Sequence, residues 1–257
     1  MRPIRRAVTL TIAALTAAAV AGCSGGWPAA EVTLPPAETA TLATVEPPDA
    51  ALADSPVVAQ AQRSVAKIHG IAPSCQKMLD GSGVVFAPDR VMSSAHGVAG
   101  ATDITVSVDG GDYPATVVFY DPDADIAILD VPGLQAPPLA FAEEMAPSGT
   151  DALILGYPGG GPFVATPARI RDVIELSGPD IYRTKTVHRE VYVVRGAVRQ
   201  GGSGGPLIDL NSRILGVAFG AAVEDPDASF VLTAKQLFGM AVNANGSEPV
   251  STGDCVG

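Results

Sequence analysis

The chain has 257 residues, 47% hydrophobic and 17% charged, enough apolar material for a sizeable core in one or two domains. Its 16 Lys and Arg against 27 Asp and Glu give a formal net charge of −11. A surface this acidic repels phosphate and argues against nucleic acid as a partner.

The first residues have the pattern of an export signal. Arg2, Arg5 and Arg6 form a positive start, and residues 7–22 follow without a charge. That apolar stretch of 16 residues is short for a bilayer span, which takes about 20. It suits the apolar region of a signal peptide over residues 1–22. Val20-Ala21-Gly22-Cys23 has the form of a lipobox, in which cleavage exposes Cys23 for lipidation. An ordinary signal peptide with a chance cysteine, or an uncleaved anchor, are the alternatives. Arg5-Arg6 also fits twin-arginine export. The lipobox reading anchors the protein to the outer face of the cell membrane, in the periplasm or cell envelope, with the membrane as its partner through Cys23.

Residues 23–54 read as a disordered, Pro- and Ala-rich tether. They carry Pro28, Pro35, Pro36, Pro47 and Pro48 together with five acidic residues, and no Lys or Arg. Such a segment buries too little apolar surface to offset its chain entropy. The folded domain is expected over 55–257. Ser55-Pro56 has the form of a helix cap followed by proline at the first helical position, with one short helix over 57–65. Short strands then follow at 66–69, 83–86, 90–94, 104–108, 115–120 and 126–131. The second set is 152–157, 168–176, 190–195, 206–209, 214–219 and 229–232. Gly, Pro, Asp and Asn turn signals separate them, the texture of an all-β sandwich or barrel, as one unit or two packed barrels. A closing helix is expected over 233–242, capped by Thr233.

The cysteines are Cys23, Cys75 and Cys255. If Cys23 is acylated, only one pairing remains, and export exposes it to an oxidising compartment. A Cys75–Cys255 disulfide is expected, with two free thiols as the alternative. No CxxC or clustered His accompanies them, so zinc is not expected.

Three segments carry chemistry. Gln200-Gly201-Gly202-Ser203-Gly204-Gly205-Pro206 offers an exposed hydroxyl on a Gly-rich turn, where backbone N–H groups can face a developing oxyanion. Val91-Met92-Ser93-Ser94-Ala95-His96 ends a strand on an imidazole. Asp125 immediately precedes the apolar run Ile126-Ala127-Ile128-Leu129, which would carry a carboxylate into the core. The alternation Asp121, Asp123, Asp125 does not make a calcium loop, because Ile126 and Pro132 stand where such a loop needs Gly and Glu. Asp121 and Asp123 read as turn residues, and His69 and His188 as structural or surface residues.

In the order His, Asp, Ser, these motifs resemble those of the trypsin-like serine proteases over about residues 55–242. The pattern is most similar to the bacterial HtrA and actinobacterial MarP types, through Asp125-Ile126-Ala127, Gly202-Ser203-Gly204-Gly205-Pro206-Leu207 and Gly216-Val217-Ala218-Phe219-Gly220. Phe230-Val231-Leu232-Thr233-Ala234 and a first-barrel cysteine paired with one at the C-terminus look MarP-like. The resemblance implies two six-stranded antiparallel barrels and a serine endopeptidase acting on protein or peptide substrates, with no cofactor and no metal. It implies His96, Asp125 and Ser203 as catalytic residues and the N–H groups of Gly201 and Ser203 as the oxyanion hole. It also puts Ala197, six residues before Ser203, at the base of the S1 pocket. The chain departs from MarP types in carrying a lipobox and tether where they carry a transmembrane bundle. It departs from HtrA types in having only residues 243–257 where they carry a PDZ domain. Gly202 replaces the Asp by which pancreatic-type zymogens pair with a new N-terminus. A non-catalytic, lipid-anchored binding module on the same fold is the other reading. An esterase of the α/β-hydrolase kind is disfavoured by the order of the three residues.

Overall fold

The computed structural model describes residues 43–222, 225, 227–244 and 246–256. The signal peptide expected over 1–22, Cys23 and the tether up to residue 42 lie outside the described residues.

The sequence alternates short apolar runs with turns, and twelve strands result. The first six are β1 (Val65–Ala72), β2 (Lys77–Ala87), β3 (Arg90–Ser93), β4 (Asp103–Val108), β5 (Gly111–Asp121) and β6 (Ile126–Asp130). They close into an antiparallel barrel in the order β1-β2-β3-β6-β5-β4. The second six are β7 (Asp151–Gly156), β8 (Val164–Pro179), β9 (Thr186–Arg195), β10 (Pro206–Ile208), β11 (Ile214–Ala221) and β12 (Ala228–Thr233). They close in the order β10-β11-β12-β9-β8-β7.

The apolar runs are continuous where a strand is buried on both faces. Along β6, Ala127 and Leu129 pack inside the first barrel with Val85, Val91 and Val106. Ile126 and Ile128 point the other way, into a cluster with Leu153, Leu155, Ile208 and Val217 of the second barrel. β7 shows the same split, since Ile154 joins the interior of the second barrel with Leu207 and Val231. The period of two along a strand thus divides these residues between barrel interiors and the interface. Burying a side chain of this kind contributes about 1.5–3 kcal/mol.

Two helices flank the barrels, α1 (Pro56–Gln62) and α2 (Ala234–Asn243). Thr233 caps α2 by accepting the Gln236 N–H. α1 stops short of the expected residue 65, because Val65 already pairs with Val84 in β1–β2. β2 starts at Lys77, six residues before the apolar run at 83, and β8–β9 extends as a hairpin to Pro179 and Thr186. Neighbouring backbone pairs those polar extensions, which leave no apolar run to read.

Two terminal segments also pack on the barrels. The spacer expected over 23–54 has contacts from residue 43 onward. The carbonyls of Ala43, Val45 and Glu46 accept from Arg171, Arg195 and Arg169, and Ala50–Asp54 forms a 3-10 turn. At the other end, the Val250 N–H donates to the Val117 carbonyl and the Gly100 N–H to the Thr252 carbonyl. Cys255 and Cys75 are joined in a disulfide that spans 180 residues of sequence. None of the described helices is long and apolar enough to cross a membrane.

Candidate active site

Strand pairing brings the histidine and the aspartate together. β3 and β6 are neighbours, with Ser93 opposite Ala127. His96 leaves the end of β3 three residues after Ser93, and Asp125 precedes Ala127 by two, so both emerge at one end of the same strand pair. The turn before β6 is held by Asp121, whose carboxylate accepts the N–H groups of Asp123 and Ala124 at 2.9 Å each. This confirms the turn role of Asp121. Asp125 itself sits in the left-handed region at φ 63°. Asp tolerates that conformation better than most residues.

The Asp125 carboxylate faces His96 with both oxygens. Oδ2 lies 2.7 Å from the imidazole Nδ1, and Oδ1 accepts the His96 backbone N–H at 2.9 Å. The aspartate side chain is 6% exposed and the imidazole 35%. Burial pulls the His96 pKa down, and the Asp125 hydrogen bond and charge outweigh it, so His96 lies above its ordinary value. The arrangement leaves Nε2 as the ring nitrogen able to exchange a proton elsewhere.

Ser203 lies in the loop between β9 and β10. That loop is tied to the first barrel by Ser82 of β2, which the motif reading had not singled out. The Ser82 N–H donates to the Ser203 carbonyl at 3.0 Å. Its hydroxyl donates to the Gly201 carbonyl at 2.8 Å and accepts the Tyr157 N–H at 2.8 Å. The packing here demands glycine. At Gly201 (φ 82°) a Cβ would stand 2.3 Å from the Gly159 nitrogen, and at Gly204 (φ 85°) 2.2 Å from the Ser82 carbonyl oxygen. Among the described residues, the N–H groups of Gly201 and Ser203 have no protein acceptor, whereas Gly202, Gly204 and Gly205 donate to Arg199, Ala218 and Gly202. The small-residue run Gly81-Ser82-Gly83 inside a strand was the available signal for a close backbone approach.

The remaining expected residues fall as follows. Ala197 is half-buried and lines a cavity of about 10 Å³ with Val164, Thr166 and Gly202, without a carboxylate among its walls. The next residue, Val198, donates its N–H to Ser229 of β12 at 2.8 Å. Arg195 is engaged by the Val45 carbonyl, and Arg199 is exposed. His69 meets Asp80 at 3.1 Å and His188 meets Ser177 at 2.9 Å, both on the surface. No cluster of His, Cys, Asp and Glu that could hold a metal occurs among the described residues. A groove of about 820 Å³ runs past His96 and Asp125, between Phe219, Phe230 and the tail residues Cys255 and Val256.

Two barrels, with a histidine and a buried aspartate at one strand end and a serine on a glycine turn, define a serine peptidase of the trypsin-like class. The model of the trypsin-like peptidase domain matches residues 81–217, and the chain belongs to that family. It is 53% identical to the serine protease Rv3671c of Mycobacterium tuberculosis over 224 residues, 87% of this chain and 56% of that protein. It is 31% identical to a probable periplasmic serine endoprotease, DegP-like, of Halomonas elongata, over 53% of this chain and 28% of the relative. The chain thus spans about half the length, or less, of these curated relatives. Against the crystal structure of the M. tuberculosis protease in its active form, the TM-score is 0.84, covering 87% of this chain and 99% of that one. Against the inactive form it is 0.71 at 52% identity, covering 79% and 100%. The MarP and HtrA resemblance read from the motifs is therefore matched by the relatives.

Proposed function

We propose that this chain is a serine endopeptidase that hydrolyses peptide bonds in extracytoplasmic proteins and is held at the membrane by lipid on Cys23. The observation that carries the catalytic reading is the two-point contact of Asp125 with His96, through Nδ1 at 2.7 Å and the backbone N–H at 2.9 Å. It fixes the imidazole with Nε2 as the working nitrogen. Ser203 is the nucleophile and attacks the scissile carbonyl. His96 takes its proton and returns it to the leaving amine, and Asp125 stabilises the imidazolium that forms between. The N–H groups of Gly201 and Ser203 hold the oxyanion, and losing one such donor typically costs about 3 kcal/mol in the barrier. Ala197 makes the base of S1 small and uncharged.

The anchor reading rests on the sequence of residues 1–23 and on extracytoplasmic relatives. Stable attachment takes more than a single acyl chain, which a lipidated cysteine provides. Turnover of a peptide library by the purified protein, beside Ser203→Ala, tests the activity and reads the cleavage specificity together. Release of Cys23→Ala from the membrane fraction is the expected result for the anchor. A variant that stays membrane-bound would move the anchor to residues 7–22.

A further inference from the structure

A buried cation stands behind the aspartate. Arg189 projects from β9, on the second barrel, and is 5% exposed. Its Nε donates to the Asp123 carbonyl at 2.7 Å, and Nη1 and Nη2 both donate to the Pro179 carbonyl at 3.2 Å. The guanidinium lies 5.5 Å from the centroid of the Phe219 ring, which lines the groove beside His96. Among the described residues it makes no direct ion pair. A buried charge without a contacting counter-ion is costly, and an apolar side chain of similar shape would pack there without that cost. Packing alone therefore does not account for an arginine.

Two features of the site do. The turn that delivers Asp125 is short and ends in a left-handed residue; its Pro122 carbonyl accepts the Ile181 N–H of the β8–β9 hairpin at 3.3 Å, and it is held twice more at Asp123. One hold is Lys185 on the Asp123 carboxylate at 2.7 Å, an exposed pair that water screens. The other is the buried Arg189 fork on the Asp123 carbonyl, which spans to the β8–β9 hairpin at Pro179. The second feature is electrostatic. Burial lowers the Arg189 pKa, and the carboxylates of Asp125, Asp123, Asp121 and Asp180 oppose that effect, with Asp125 first among them. A guanidinium stays charged under all ordinary conditions.

We infer that Arg189 is a positioning residue for the reaction: it clamps the Asp121–Asp125 turn to the β8–β9 hairpin and places a fixed positive charge behind the Asp125–His96 pair. This rests on the catalytic reading of that pair. A positive charge placed there disfavours a second positive charge on the His96 imidazole. The groups facing this centre are Asp121 and Asp123 at the turn, Asp180, Arg183 and Lys185 on the hairpin, and Tyr120 of β5. The Tyr120 phenol is pushed well above its usual range by burial, by Tyr182 and by Asp125. On β9 itself, Glu190 is taken up by Thr233 and Lys235 and His188 meets Ser177 on the surface, and Cys255 of the nearby tail is in the disulfide. Of the two imidazoles, His96 is the one that Asp125 contacts.

The test uses the full chain with Arg189→Met and Arg189→Lys, measuring kcat and KM from about pH 5 to pH 9 on a peptide the parent cleaves. Met removes both fork and charge. The expected result is a kcat about tenfold lower with KM within about threefold, and an acid limb of kcat/KM moved to higher pH by about half a unit or more. Lys keeps the charge and loses the fork, so its acid limb should match the parent while kcat falls. A Met variant that unfolds cooperatively, with kcat within about twofold of the parent and an unmoved limb, overturns the inference. If Met fails to fold, Lys decides: parental kcat overturns the clamp, and a displaced limb overturns the fixed-charge role. A parent that does not react with a fluorophosphonate sinks the catalytic reading and this inference with it. A reactive parent with indifferent Arg189 variants sinks the inference alone.

Discussion

Replacing Ser82 by alanine removes a hydroxyl that is buried between the two barrels and used in both directions. It donates to the Gly201 carbonyl and accepts the Tyr157 N–H, each at 2.8 Å. Two intramolecular hydrogen bonds of this kind contribute about 1 kcal/mol each. Counted the other way, the loss leaves a part-buried carbonyl and a part-buried N–H without their partner, at about 1–3 kcal/mol per group where water cannot enter and less where it can. The two figures describe the same loss and are not summed, so a total of about 2–4 kcal/mol follows for the two groups. The Ser82 backbone N–H still holds Ser203, so the fold should survive while the Gly201 peptide loosens. Deleting an oxyanion donor outright lowers kcat about 10²–10³-fold, and loosening one should lower it about tenfold. Denaturant unfolding monitored by circular dichroism reads the first quantity, and kcat on a cleaved peptide reads the second. A Ser82→Ala protein within about 0.5 kcal/mol of the parent and with unchanged kcat would refute the reasoning that Ser82 organises the oxyanion turn.

Three further outcomes are expected. The acid limb of kcat/KM should lie above the ordinary imidazole value of about 6.5, because Asp125 outweighs burial at His96 and the base must be neutral to act; a limb below that value counts against it. Reduction of Cys75–Cys255 should cost up to about 5 kcal/mol of stability for a loop of 180 residues, seen as a lower melting temperature, and raise KM because Cys255 and Val256 wall the His96 groove. Unchanged melting after full thiol labelling would contradict the first part. Cleavage should favour small or uncharged P1 residues, as Ala197 provides no carboxylate, and a strong Lys or Arg preference in library profiling would refute this.

How much could be read in the sequence depended on where each signal resides. The twelve strands were visible because Val, Ile and Leu runs between turns report burial directly. His96, Asp125 and Ser203 stood out because each sits in a short local pattern at a strand end or glycine turn. Ser82 and Arg189 did not, since their roles come from pairing between segments far apart: Ser82 meets a loop more than a hundred residues on, and Arg189 meets the carbonyls of Asp123 and Pro179. A carbonyl acceptor leaves no trace in residue type. The backbone contacts of the terminal segments left no sequence signal for a related reason. Residues 43–46 have little apolar content, yet their carbonyls accept from Arg169, Arg171 and Arg195, and the tail after α2 is tied to β5, to the turn after His96 and to the β1–β2 connection by backbone bonds and a disulfide. Composition predicts whether a segment can build its own core. It does not register a segment that borrows donors from one already built.

The catalytic reading makes Ser203 a nucleophile activated by His96 and Asp125. Labelling the purified protein with a fluorophosphonate, with covalent attachment mapped by mass spectrometry, tests it most directly. One adduct is expected on Ser203, none in Ser203→Ala, and labelling that slows about 10⁴-fold in Asp125→Asn as the imidazole loses its tautomer. An adduct on a different residue, or equal labelling of the parent and Ser203→Ala, would contradict it.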